Sequence, residues 1–205
     1  MTAITTNAWT NALHALFLLS YFLIAAIQWL KGNNKFTLYI VTFFLTIFVL
    51  KILGVWVHYS YGQPYTAHIW VAISLGVVFL NYCLIHAINI SSFIRLAVMF
   101  ISLVFTYFYL SQQNFLYIAL AVIFIYSLVA IYSRGLVRIG FIAVVVSNLI
   151  WIGLREGTSA MLGYELPVQY RYDNDVYHLL LICSTYLIFV AIVRGDWSYP
   201  DEVVE

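Results

Sequence analysis

Charge is what this chain has least of. Of its 205 residues only 8% are Asp, Glu, Lys or Arg, and they nearly cancel to a net +1. Such a chain carries neither the basic field that nucleic acid requires nor an acidic field for basic partners, so nucleic-acid binding is excluded. No stretch is polar enough or long enough to form a soluble domain, and no internal repeat stands out. The first residues, Met1 to Asn7, carry no positive charge, and the apolar run that follows has no convincing cleavage site, so it reads as a retained span and not as a signal peptide. The two cysteines, Cys83 and Cys183, fall in hydrophobic spans at different depths, too far apart to bridge.

What the chain has in quantity is apolar surface: 64% hydrophobic residues and a mean hydropathy of +0.97. A soluble domain of this length could not bury that much, so lipid is part of its solvent. A bilayer core needs roughly 20 apolar residues per helix. That length predicts spans over 8–30, 36–59, 65–88, 93–111, 114–133, 136–154 and 176–194. The expected fold is therefore an all-α integral membrane protein, a single seven-transmembrane bundle over residues 1–195 with a short acidic tail over 196–205. Pro64, two residues after Gly62, is expected in the first turn of the third span, where a missing N–H costs nothing.

Basic residues in the short loops give the bundle a direction. Lys31, Lys35, Arg95, Arg134, Arg138 and Arg194 fall on one side, and only Arg155 and Arg171 on the other. Positive charge marks the cytoplasmic side, which puts the N-terminus outside and the C-terminus in the cytoplasm, as in a bacterial inner membrane. The loop Arg155 to Asp175 is then the longest outer connection.

An ionisable side chain in hydrocarbon is costly enough to be a functional candidate by default. His58 ends the second span, His68 opens the third, His178 lies one turn into the seventh, and His14 lies near the outer end of the first; His86 belongs to the inner level. Asn174, Asp175 and His178 share a helix face, which Thr185 continues. With the second and third spans forming a tight hairpin, His58, His68, Asp175 and His178 are expected as ligands of a zinc ion. The alternative readings are interfacial histidines bonded to backbone, tyrosine or lipid, a haem, and a proton relay. Glu156, beside Arg155, reads as half of an exposed ion pair.

Lys51 is the least ordinary residue. It precedes His58 by seven positions, on nearly the same face and roughly 10 Å deeper. No acidic residue sits near the middle of any other span, so its partner is a carbonyl, an amide such as Asn148 or Asn81, water or a bound anion, unless it snorkels to the inner surface. The seventh span has no lysine, which argues against the usual microbial-rhodopsin arrangement of a retinal Schiff base. Asn148 shares its face with Trp151 and Arg155 and is expected to bond a neighbouring helix.

Two segments, Gly54-Val55-Trp56-Val57-His58 and Asn174-Asp175-Val176-Tyr177-His178, resemble a degenerate form of the pattern found in the CREST membrane hydrolases, which include the alkaline ceramidases. In that pattern a serine and histidine at the end of the second span, an aspartate early in the third and an H-x-x-x-H pair on the seventh hold zinc. Here Gly54 stands at the serine position, Asn174 at the first histidine of the pair, and His68 near the aspartate. The resemblance implies a zinc-dependent enzyme that hydrolyses a lipid amide or ester. The alternative is a non-enzymatic subunit, assembly factor or lipid-binding component among membrane lipids and other membrane subunits, with Gly76, Gly140 and Gly153 at helix contacts. A third reading is transport, with Lys51 and Asn148 lining an anion or proton path.

Overall fold

The computed structural model describes residues 2–87 and 90–195; the expected acidic tail at 196–205 lies outside the described residues. Seven α-helices account for most of them: α1 Ala3–Leu30, α2 Leu38–Tyr59, α3 Thr66–His86, α4 Ser92–Gln112, α5 Leu116–Tyr132, α6 Gly135–Leu162 and α7 Asp173–Arg194. Six are long and apolar enough to cross a membrane, and α5 is a shorter apolar helix of 17 residues. The chain is thus a multi-pass, all-helical bundle of the kind that lipid requires, because a helix satisfies its own backbone polar groups.

Local chemistry sets the helix ends. Thr37 and Ser91 accept hydrogen bonds from the backbone N–H of Ile40 and Ile94, capping α2 and α4. Arg138 Nε donates to the carbonyls of Ala130 and Ser133, at 3.1 and 2.8 Å, and so satisfies the otherwise open C-terminal end of α5. Among the boundaries that differ from the sequence reading, α1 begins at Ala3 and not at 8, and α7 at Asp173 and not at 176. Pro64 lies in the turn ahead of α3, which begins at Thr66, so its fixed φ shapes the turn and not the first helical turn. α6 runs eight residues past 154 to Leu162 and stops where Gly163 adopts φ 72. That extension takes up the first part of what reads as an outer loop, and the short 3-10 turn Val168–Tyr170 occupies another part.

Consecutive helices pack against one another, and α7 returns to α1, closing a ring; α3 also touches α5. The two halves of the ring differ. Toward the end that carries His86 and Arg138, a dense core fills the centre, with Tyr21 stacked on Phe189 at 4.4 Å and Phe44 edge-on to both. At the other end the helices enclose space.

Close approach of α6 and α7 depends on Gly140, where an added Cβ would meet Ile188 Cγ1 at 2.6 Å and its backbone nitrogen at 3.1 Å. Gly76 lies against Leu50 on α2, whereas Gly153 faces nothing within 4 Å, so its expected place in a helix contact is not found.

Candidate functional site

The enclosed space is a cavity of about 330 Å³ lined by side chains from α1, α2, α3, α5, α6 and α7; α4 contributes none. Its wall is mostly apolar and aromatic, with Trp70, Phe115, Tyr126, Trp151 and Tyr177 among the lining residues. Three basic side chains, Lys51, Arg155 and Arg171, and three imidazoles, His14, His58 and His178, also line it. Among the described residues no aspartate or glutamate does.

Lys51 faces this cavity from the middle of α2, not the inner surface. Its Nζ lies 5.9 Å from the centre of the Tyr177 ring, a cation–π contact. Neither a hydrogen bond nor an ion pair holds that nitrogen among the described residues. Of the partners the sequence allows, Asn148 shares the cavity with Lys51, but its Oδ1 accepts from Tyr177 Oη at 3.1 Å and its Nδ2 donates to the Val144 carbonyl. Asn81 is elsewhere, donating to Ser102 on α4.

A polar network joins α1 to α7 beside the cavity. Thr6 and Thr10 donate to the two carboxylate oxygens of Asp175, at 2.6 and 3.0 Å, and Thr10 Oγ1 also lies 3.0 Å from His178 Nδ1. One turn deeper on α1, the fully buried His14 places Nε2 3.0 Å from Thr185 Oγ1, while its Nδ1 has no partner. Trp151 donates to Asn174 at 2.7 Å, fixing α6 to the start of α7. The face Asn148, Trp151 and Arg155 that periodicity marks on α6 does line the cavity, and so do Asn174, His178 and Thr185 of α7.

The expected zinc ligands are only partly brought together. His58 and His178 share the cavity. His68 is exposed and does not line it, because α3 turns it away while Ile69 and Ile73 pack against Val57 of α2. Asp175 points to α1 and is taken up by its threonines. No group of three or more His, Cys, Asp or Glu side chains among the described residues could hold a metal ion, so the four residues do not fit zinc as arranged. Arg155 and Glu156 do pair, at 3.8 Å, and Arg155 also lies over the Trp151 ring.

The residues missed in the sequence are Thr6, Thr10 and Arg171. A signal existed for the first two: Thr6, Asn7, Thr10, Asn11 and His14 repeat at helical spacing and draw a polar stripe along α1. Arg171 carried none, because it sits in a loop. It and Arg155 also line a second, surface cleft of about 290 Å³ between α6 and the start of α7, so the pair stands at the mouth between that cleft and the interior.

The chain matches no family model, and comparison with curated proteins and with solved structures gives no match.

Proposed function

We propose that the protein is a seven-span receptor or carrier that binds an anionic amphiphile, a fatty-acid-like molecule, in its interior cavity. The observation that carries this reading is Lys51: a lysine side chain inside the bundle, bonded to no carboxylate, facing a mostly apolar space with no acidic lining. Placing an ammonium there without a counter-ion is costly, and an anion supplied by a ligand repays that cost. The aromatic and aliphatic walls take the tail, and a volume near 330 Å³ falls at the lower end of small-molecule sites. In this reading α5 is the seventh span, the N-terminus lies outside and the C-terminus in the cytoplasm of a bacterial inner membrane, and the cavity opens outward past Arg155 and Arg171.

The test is binding of dodecanoate to the detergent-purified protein, followed by the fluorescence of Trp70 and Trp151. Lys51→Met is expected to weaken it by about 30-fold, roughly 2 kcal/mol, the scale for removing one partner of a buried charge pair. Equal binding by wild type and Lys51→Met overturns the reading.

A second reading follows the CREST resemblance: a metal-dependent lipid hydrolase. What supports it is that His58 and His178 share the cavity. It requires a third ligand from outside the set His68 and Asp175. Elemental analysis of gently purified protein decides it: stoichiometric zinc, lost in His58→Ala and His178→Ala, supports the hydrolase, and no metal in the wild type sinks it.

A further inference from the structure

Thr10 determines which nitrogen of His178 carries a proton. Its hydroxyl touches three atoms: the Asn7 carbonyl oxygen at 3.1 Å, Asp175 Oδ1 at 3.0 Å and His178 Nδ1 at 3.0 Å. A hydroxyl has one proton, and both oxygens only accept. The proton therefore goes to an oxygen, and the contact with His178 must be made by an Nδ1–H donating to Thr10. The neutral ring is fixed with a lone pair on Nε2. Nothing among the described residues bonds that atom, although His178 is 7% exposed and lines the cavity with Lys51.

His14 obeys the same logic. Thr185 gives its hydroxyl proton to the carbonyl of Leu181 or Ile182, so His14 Nε2–H donates to Thr185 and Nδ1 is left as a bare acceptor. The cavity wall thus sets strong donors, Lys51 in the interior with Arg155 and Arg171 at the mouth, beside imidazoles whose free nitrogens accept. A plain fatty acid satisfies the lysine and leaves His178 Nε2 unmet. Once a ligand fills the cavity and shields that acceptor, leaving it unsatisfied costs more than a typical bond gains.

We propose that the occupant carries a hydrogen-bond donor, a hydroxyl or an amide N–H, next to its anionic group: a hydroxy fatty acid or an N-acyl amino acid, with the anion on Lys51 and the donor on His178 Nε2. This rests on the anion-binding reading and names its ligand class.

The experiment compares dodecanoate, 3-hydroxydodecanoate and N-decanoylglycine on wild-type protein in detergent, by calorimetry. Either donor-bearing acid is expected to bind about tenfold more tightly than dodecanoate, the scale of one well-placed buried hydrogen bond. Preference for the hydroxy acid alone, or for the acylglycine alone, identifies which donor the site takes. In His178→Leu the ratio is expected to fall to about one, whatever happens to dodecanoate's own affinity. Should that variant fail to fold, Thr10→Val releases the tautomer and is expected to shrink the same ratio. If dodecanoate binds wild type as tightly as both donor-bearing acids, or if the ratio survives both substitutions, the inference is overturned while the anion site stands. If none of the three acids binds, or if Lys51→Met binds all three unchanged, the anion site itself falls.

Discussion

Thr10 Oγ1 lies 3.0 Å from His178 Nδ1, so a hydroxyl on the first helix holds an imidazole on the last and closes the ring of helices at its polar end. Thr10→Val removes that acceptor and, with it, a donor to Asp175. Each polar group left short of a partner costs about 1–3 kcal/mol. The thermal midpoint of the detergent-purified variant is expected to fall, and Thr10→Ser, which keeps the hydroxyl, to stay near wild type. A Thr10→Val protein as stable as wild type would show that the network does not join α1 to α7.

Lys51 gives a prediction of opposite sign. In the ligand-free protein Lys51→Met removes a buried lysine that has no counter-ion and is expected to raise stability, by about 1–3 kcal/mol on the scale of such replacements. Binding of anionic amphiphiles is expected to fall in the same variant. Stability rising as binding falls is the mark of a residue kept for function. Thermal unfolding with and without dodecanoate reads both effects, and a destabilised, still-binding Lys51→Met contradicts the assignment.

The glycines separate helix contact from helix propensity. At Gly140 an added methyl meets the Ile188 side chain at 2.6 Å and its backbone at 3.1 Å, so α6 and α7 must move apart. At Gly76 the methyl meets only the end of the Leu50 side chain, which can rotate away, and at Gly153 it meets nothing. Unfolding in detergent is expected to rank Gly140→Ala as the least stable, by about 1–3 kcal/mol on the scale for overpacking, with Gly76→Ala between it and a near-neutral Gly153→Ala.

Much of the bundle was legible in the sequence because its signals are local. A run of about 20 apolar residues marks a helix in lipid by itself, and the i, i+3, i+7 spacing of Asn148, Trp151 and Arg155 places all three on one face, which lines the cavity. The orientation of Lys51 and His58 to one face follows from the same rule. The partners of Asp175 did not follow. Spacing put it on the face of His178, but which helix lies beyond that face is a property of the closed ring, and the threonines that take up its charge are about 165 positions away in the chain. His68 misled for a related reason: the hairpin brings the ends of α2 and α3 together, yet the phase of α3 is set by Ile69 and Ile73 packing on Val57, which turns the histidine outward.

The proposed outward opening of the cavity requires α5 to cross the membrane, which would make the number of spans odd. With 17 residues it is about 25 Å long, some 5 Å less than a typical hydrocarbon core, a mismatch that local thinning accommodates at modest cost. Its end is not left to lipid either, because Arg138 reaches back to the carbonyls of Ala130, Ser133 and Ile131. A crossing helix must put its two flanks on opposite sides. In a background with Cys83 and Cys183 replaced, Gln112→Cys before α5 is expected to react with a membrane-impermeant maleimide on intact cells, and Arg134→Cys after it only once the cells are permeabilised. Gln63→Cys should behave as Gln112→Cys does, and Lys31→Cys as Arg134→Cys. Labelling of Gln112→Cys and Arg134→Cys from the same side would reduce the count to six and place both ends of the chain on one face. Reversal of all four would keep seven spans but turn Arg155 and Arg171 to the cytoplasm, making the cytoplasm the compartment from which the ligand enters.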